Sequence, residues 1–305
     1  MKHNPSWRWK VIIAFAAVYI IWGSTYLAIR VGVQQLPPLL FAGSRFVVAG
    51  VLLALYARLS GQKFPTHIRE WRTIVITALF MLVGANGLVV WGEQWVPSNQ
   101  AALIVATTAL WLAGFGTLGA HGQKLGSRTV FGLTVGFFGV AMLLLPENGF
   151  SLEHFGAQLA VLAACPLWAA GSMVAKRSHL STPPLMVAAM QSLVAGIVFC
   201  AFGFPLGETA RWSWSTEAMA SLAFLIVFGS CFAYAAYIWL LHEVSPAALG
   251  TYAYVNPLVA VVLGWLILNE TLSAAQLAGM VVILIGVMLV SIARPKVVIA
   301  PSPRT

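Results

Sequence analysis

The chain has 305 residues, of which 60% are hydrophobic and only 8% are charged, and its mean hydropathy is +0.88. Soluble domains carry about 25% charged residues, so this composition excludes a water-soluble globular protein and predicts an integral membrane protein. The formal net charge is +9, but the basic residues cluster on no soluble segment. We therefore expect no nucleic-acid partner.

Ten apolar runs are long enough to cross a bilayer as helices, which takes about 20 residues each. In chain order they cover residues 10–30, 38–57, 73–92, 99–119, 129–145, 155–175, 184–204, 218–241, 248–268 and 274–293. The first run is too long for the apolar part of a signal peptide, so we interpret it as a membrane helix. The connections leave no room for a soluble catalytic domain. The pattern predicts an all-α integral membrane protein with ten transmembrane helices.

The basic residues set the predicted orientation. With the N-terminus in the cytoplasm, 14 of the 17 lysines and arginines fall in cytoplasmic segments, as the positive-inside rule requires. The exceptions are Arg30 and Arg211 at the outer surface and Arg45 within a span. Both termini are then cytoplasmic, and residues 294–305 form a cytoplasmic tail.

An internal repeat relates the two halves of the chain. The segment WGSTYLAIRVGVQQLPPLLFAGSRFVVAG begins at Trp22, and WAAGSMVAKRSHLSTPPLMVAAMQSLVAG begins at Trp168, an offset of 146 residues. Each half holds five spans, and an odd number makes the second half enter from the opposite side. We predict inverted five-helix repeats at 10–146 and 155–293, which are typical of secondary transporters with a site near the midplane. A duplicated scaffold or regulatory protein without transport is the alternative.

Several segments resemble the EamA type of the drug/metabolite transporter superfamily. They are the segment from Trp22 quoted above, GEQWVPSNQAAL (92–103), LWAAGS (167–172) and SPAALGTYAYVNPLVAVVLGWLILNETLS (245–273). The resemblance covers nearly the whole chain. It implies a multi-pass protein of the inner (cytoplasmic) membrane that exports small metabolites, often amino acids or their relatives, or drugs. The segment TTALWLAGFG (107–116) lacks the proline that such proteins often carry in span four, which puts a helix break there in doubt.

Small polar residues near the middle of span one are the first candidates for a substrate cavity. At 1.5 Å per residue, Trp22 lies about halfway across a hydrocarbon core of about 30 Å, and Ser24 and Thr25 follow it. Trp168 shares the repeat position of Trp22. We predict that these residues line a cavity, with close helix packing as the alternative.

The pair Asn256-Pro257 is the second candidate. A proline inside a helix cannot donate to the carbonyl four residues before it, so we predict that span nine kinks or opens at Pro257. The break should face protein or a water-filled cavity. Tyr252, Tyr254 and Asn256 would then offer hydrogen bonds to a substrate. A purely structural kink is the alternative.

Arg45 is the third candidate because a charge inside a span is costly unless it is paired or hydrated. It lies six residues past Leu39 and so about 9 Å below the predicted outer end of span two. The acids nearest in predicted depth are Glu93 and Glu270. We predict a cluster of Arg45 with Glu93, or with Glu270, that binds a substrate carboxylate or forms an extracellular gate. Snorkelling of Arg45 toward lipid phosphates is the alternative.

The remaining predicted cavity residues are neutral, which favours a zwitterionic or neutral amphipathic substrate over a polyanion. Besides those named above they are Tyr26, Thr107, Thr108, Trp111, Ser172 and Gln191. The sequence has no G-x-x-x-x-G-K-S/T phosphate loop and no catalytic or metal-binding motif, so we expect neither an enzyme nor a cofactor or metal.

The expected partners are a small-molecule substrate and the lipid bilayer, with protons as a third if Glu93 titrates. A monomer and a homodimer are equally compatible with the sequence. A facilitative, channel-like uniporter is the alternative to secondary-active transport.

Overall fold

The computed structural model describes residues 5–116, 126–144, 152–178, 180–244, 249–250 and 252–292. Over these residues the regular secondary structure is helical, and no strand occurs among them. Six helices are long and apolar enough to cross a membrane, and two shorter apolar helices lie at Val255–Leu268 and Leu277–Gly286. The predicted all-α membrane fold is confirmed, while the count of ten spans and the cytoplasmic position of the termini stay predictions.

The helices follow the apolar runs, because only a helix satisfies its own backbone hydrogen bonds without water. In the first half α1 comprises Pro5–Ala16, Ala17–Ile21 and Trp22–Val33; α2 is Pro38–Leu59; α3 comprises Ile68–Ala78, Leu79–Asn86 and Gly87–Gly92; α4 comprises Ser98–Ala106 and Thr108–Phe115; and α5 is Ser127–Leu144. In the second half α6 is Leu152–Arg177; α7 is Pro184–Gly203; α8 comprises Thr216–Phe224, Leu225–Tyr234 and Ala235–Glu243; α9 is Tyr252–Leu268; and α10 is Ala274–Ile292. A short 3-10 helix, Glu208–Arg211, lies between α7 and α8.

Wide π-helical turns interrupt three of these helices, at Ala17–Ile21 in α1, Leu79–Asn86 in α3 and Leu225–Tyr234 in α8. The segments of α3 and α8 begin at positions related by the 146-residue offset. Such turns are rare and occur mostly at functional sites. Residues from the segments in α3 and α8 line the central cavity described below.

The helix break expected at Pro257 is not observed. Helix α9 continues from Tyr252 to Leu268 with Pro257 inside it. The Asn256 amide nitrogen, oriented toward its acceptors, donates to the carbonyls of Tyr19 (3.0 Å) and Tyr252 (3.2 Å). These bonds join the turn before the proline to α1, and α9 does not open there; a kink at Pro257 stays a prediction.

The interruption lies instead in α4, the helix without a proline, at Thr107. The Thr107 hydroxyl donates to the carbonyl of Ile104 (2.7 Å), and the Leu110 amide donates to the Thr107 carbonyl (2.8 Å). Both bonds span three residues instead of four. A threonine side chain that bonds locally competes with the regular helical pattern, which accounts for the irregular turn.

Helices at equivalent positions of the two halves pack against each other, α2 on α7 and α5 on α10. Glycines permit the close approach. A Cβ added at Gly196 would lie 2.5 Å from the backbone nitrogen of Val47, and one at Gly286 would lie 2.5 Å from that of Gly136. These contacts join the halves along two helix pairs.

Glutamates from each half also hold the start of a helix in the other half. Oε2 of Glu208, before α8, accepts from the Leu40 amide in the first turn of α2 (2.7 Å). Oε1 of Glu70, in α3, accepts from the amides of Ser181 (2.8 Å) and Thr182 (3.1 Å) just before α7. A carboxylate near a helix N-terminus is favourable because free amides point outward there. The two contacts are reciprocal, since α2 and α7 are equivalent helices.

Candidate functional site

A cavity of about 80 Å³ lies between the two halves, with room for several water molecules. Helices α1 to α4 of the first half and α6, α8 and α9 of the second form its walls. The lining residues are Trp22, Thr25, Tyr26, Ile29, Arg45, Phe46, Leu82, Ala85, Asn86, Val89, Val105, Thr108, Ala164, Trp168, Gly229, Tyr234 and Tyr252. The cavity therefore lies where the proposed repeats would meet.

Seven of the predicted site residues come together in this lining: Trp22, Thr25, Tyr26, Arg45, Thr108, Trp168 and Tyr252. Trp22 and Trp168, which share a repeat position, make an edge-on contact with ring centroids 5.4 Å apart. The opening residues of the two repeats thus meet at the cavity wall.

Other predicted cavity residues are not in the lining, namely Ser24, Thr107, Trp111, Ser172, Gln191 and Asn256. The Ser24 and Thr107 hydroxyls donate to carbonyls within their own helices, those of Ile21 and Ile104, both at 2.7 Å. Trp111 packs on Phe115 with ring centroids 6.0 Å apart. Asn256 is buried against α1, as described above. Helical periodicity turns these side chains toward neighbouring helices, which the sequence depth of each residue could not show.

An aromatic cluster lies next to the cavity, toward the predicted cytoplasmic ends of α8 and α9. The Trp22 ring lies 4.9 Å from that of Tyr237 and 5.8 Å from that of Tyr252, centroid to centroid. Trp168 Nε1 donates to the Tyr237 hydroxyl (3.1 Å), and Ser172 Oγ hydrogen bonds to the same hydroxyl (2.8 Å). Aromatic pairs at these distances stabilise the contact beyond simple burial.

Arg45 is the charged side chain of the site. It is 4% exposed, and among the described residues that line the cavity it alone is ionic at neutral pH. Its Nε donates to Ser230 Oγ on α8 (2.9 Å), and its guanidinium carbon lies 4.8 Å from the centre of the Phe46 ring. Its NH1 has no hydrogen-bond partner in the described part of the chain. The site therefore offers one cationic hydrogen-bond donor to the cavity.

Neither predicted partner of Arg45 hydrogen bonds to its guanidinium, although Glu93 lies near enough for the two charges to interact. Both carboxylate oxygens of the fully buried Glu93 lack a hydrogen-bond partner within the described ranges. Glu270 accepts from the backbone amides of Ser98 (2.9 Å) and Asn99 (3.1 Å) and thereby caps α4. The structure thus assigns Glu270 a capping contact, and the expected Arg45 cluster is not formed with either acid in this conformation.

The sequence analysis missed a polar face of α8 that contacts the site. Ser230, Tyr234 and Tyr237 recur at helical spacing, and each is at most 2% exposed. Tyr234 donates to Gln191 Oε1 (2.7 Å), and Gln191 Nε2 donates to Thr77 Oγ1 (2.6 Å). The signal was available, because three hydrogen-bonding residues on one face of an apolar span indicate a buried partner.

The described residues contain no group of three or more His, Cys, Asp and Glu side chains placed to hold a metal ion. The free cysteines Cys165, Cys200 and Cys231 lie apart in the apolar helices. Such cysteines behave as small apolar side chains.

Comparison with known proteins yields one family and several relatives. A family model described as the EamA-like transporter family matches the chain twice, over residues 9–145 and 155–292. The inner membrane transporter YedA of Escherichia coli (strain K12) is 38% identical over 94% of each chain. The transporter YoaV of Bacillus subtilis (strain 168) is 25% identical over 91% of this chain and 95% of its own.

A crystal structure with 20% sequence identity superimposes with a TM-score of 0.68. The alignment covers 92% of this chain and 96% of that one. A likeness at this identity establishes the fold.

Proposed function

Because the chain belongs to the EamA-like transporter family and is a multi-pass inner-membrane transporter, we propose that it exports small amphipathic metabolites that carry a carboxylate. Amino acids and related zwitterions are the central class, and drugs of similar size and polarity are a further one. Transport is secondary-active and proceeds by alternating access. The family and its relatives are named as transporters, not enzymes.

One observation carries the proposed substrate class: Arg45 lines the cavity, and its NH1 nitrogen has no hydrogen-bond partner among the described residues. A buried guanidinium favours a carboxylate ligand, because the two groups neutralise each other and form charge-assisted hydrogen bonds. The rings of Trp22 and Trp168 supply apolar surface for the rest of the molecule. A polyanion would leave all but one of its charges without a cationic partner.

Contacts between equivalent elements support alternating access. The packing of α2 on α7 and of α5 on α10, together with the reciprocal caps of Glu70 and Glu208, relates the halves as two similar bodies around the cavity. Rocking of such bodies exposes a central site to one side at a time, which is the behaviour of inverted-repeat transporters.

The proposal is tested by reconstituting the purified chain in liposomes and measuring uptake and efflux of labelled compounds. The panel contains amino acids, their amides, which lack the carboxylate, and their decarboxylated amines. Saturable transport of the acids but not of the amides is expected. A scaffold protein moves none of them. A channel-like uniporter gives flux that does not saturate and shows no acceleration by unlabelled substrate on the opposite side.

A further inference from the structure

Glu93 is a buried charged residue that the proposed function does not use. It follows directly on α3, is 0% exposed, and has no hydrogen-bond partner for either carboxylate oxygen among the described residues. An ionised carboxylate in such a place lacks both water and a bonded counter-ion. Buried groups in this position neutralise by binding a proton.

The two arginines nearest in the fold are both bonded elsewhere. Arg30, on α1, donates from NH1 to the backbone carbonyl of Glu93 and not to its carboxylate. Arg45, on α2, donates from Nε to Ser230 Oγ (2.9 Å). Neither forms the ion pair that would hold Glu93 in its charged form.

The other elements around Glu93 supply no cation. Glu270, on the connection between α9 and α10, is a like charge that caps α4. Tyr26, on α1, is a neutral neighbour that also lines the central cavity. Helix α6 contributes the apolar Val161, which lies against Gly92.

Burial raises the pKa of the Glu93 carboxyl well above its ordinary value; the charges of Arg30 and Arg45 act in the opposite direction, and that of Glu270 adds to the rise. In this conformation burial, with no hydrogen-bonded cation among the described residues, favours the protonated form of the carboxyl. If the Arg45 guanidinium moved from Ser230 to Glu93, the ionised form of Glu93 would become the favoured one, because a bonded cation stabilises a carboxylate.

We propose that Glu93 is a proton-binding site, and that its carboxylate competes with the carboxylate of the transported molecule for the Arg45 guanidinium. The inference rests on the proposed function, in which Arg45 binds that carboxylate. With substrate bound, Arg45 pairs with the substrate and Glu93 is protonated. The protonated conformation of this structure, with Arg45 bonded to Ser230, is the one that binds substrate. After the substrate leaves, Arg45 turns to Glu93, whose O–H bond breaks and whose proton passes to water on the open side.

In both states the Arg45 guanidinium is matched by one carboxylate, that of the substrate or that of Glu93. One proton therefore enters and leaves with each substrate, in the same direction. The inward proton gradient of a respiring cell opposes such export. Net export therefore requires an outward substrate gradient larger than the inward proton gradient, and with a smaller substrate gradient the same coupling drives uptake.

A first experiment needs no substrate. Infrared pH-difference spectra of the chain in lipid should show the C=O stretch of a protonated carboxyl that persists at neutral pH. The band should be lost in Glu93→Gln, move in Glu93→Asp, and remain in Glu217→Gln, which changes an exposed glutamate of α8. Absence of the band from the unmodified chain overturns the proposal without reference to any variant.

A second experiment uses the amino acid that the liposome panel shows to be transported, with a pH-sensitive dye inside the vesicles. One proton should move with each substrate molecule. Substrate affinity should weaken about tenfold for each pH unit above the pKa of Glu93 in the substrate-free site, because substrate binding then requires the uptake of a proton. The Glu93→Gln variant should carry substrate without protons and with an affinity that does not depend on pH.

The outcomes separate this inference from the proposed function. Transport without proton movement, or with protons moving in the opposite direction, overturns the inference and leaves the proposed function intact. If no compound of the panel moves, the proposed function and the coupling both fall, and the infrared band alone reports whether Glu93 binds a proton.

Discussion

Arg45 and Gln191 occupy equivalent positions of the two halves, 146 residues apart on α2 and α7. Each reaches from its own half into the other, Arg45 to Ser230 on α8 and Gln191 to Thr77 on α3. Gln191 is bonded at both ends of its amide, whereas Arg45 keeps an unpartnered nitrogen within the described residues. The halves thus share a geometry but differ in chemistry, and the difference marks where a ligand charge is expected.

The largest expected effect follows from removing the charge. Arg45→Leu should lower transport at least about 100-fold, because a buried charge-assisted contact with the substrate is worth a few kcal/mol. Insertion and melting temperature should be unchanged or improved, since an apolar residue replaces an incompletely paired buried charge. Liposome uptake and thermal unfolding in detergent measure the two effects. Retained transport would remove Arg45 from the site.

Substituting a glycine on either side of the α2–α7 contact should lower the free energy of unfolding by a similar amount. Gly50→Ala and Gly196→Ala each place a Cβ within 2.8 Å of a facing backbone nitrogen, that of Leu193 and Val47 respectively. Each should lower the free energy of unfolding by up to about 3 kcal/mol through overpacking. Gly114→Ala is the matched control, because its Cβ would meet no atom within 4 Å. Unequal losses would show that the two sides of this contact differ.

Gln191→Leu should lower stability more than transport, which is the reverse of what we expect for Arg45→Leu. It leaves the buried hydroxyls of Thr77 and Tyr234 without their amide partner, which costs about 2 kcal/mol in stability. The melting temperature should fall, while transport per folded molecule should fall less than about tenfold. If Gln191→Leu is as stable as the unmodified chain and as inactive as Arg45→Leu, the contrast between the two positions fails.

The smallest effect is expected at the reciprocal caps. Glu70→Gln and Glu208→Gln each weaken a carboxylate contact with backbone amides near the start of α7 or α2, and each should cost about 0.5–1 kcal/mol. Thermal unfolding of the two variants and of the exposed control Glu217→Gln gives the comparison. A loss of stability in only one of the two variants would show that the N-termini of α2 and α7 are stabilised differently.

The repeat offset pointed to two residues that line the central cavity. It related Trp22 to Trp168, and these rings meet at the cavity wall. It could not reveal that the irregular turn belongs to Thr107 and not to Pro257. The position of the irregular turn depends on hydrogen bonds between different helices, such as that from Asn256 to α1. It also depends on the Thr107 hydroxyl, which competes with the regular hydrogen bonds of its own helical turn.

Composition and the period of the apolar runs determined by themselves that this is an all-helical membrane protein, because hydrocarbon admits only segments that satisfy their own backbone. The duplication also follows from the residues alone. Only the tertiary structure decided which polar side chains face the cavity, since residues at the same depth point in different directions around a helix. It also decided that Arg45 bonds to Ser230 and that Glu93 remains buried without a bonded counter-ion. Such pairings depend on the rotation and approach of whole helices, which no local stretch of sequence specifies.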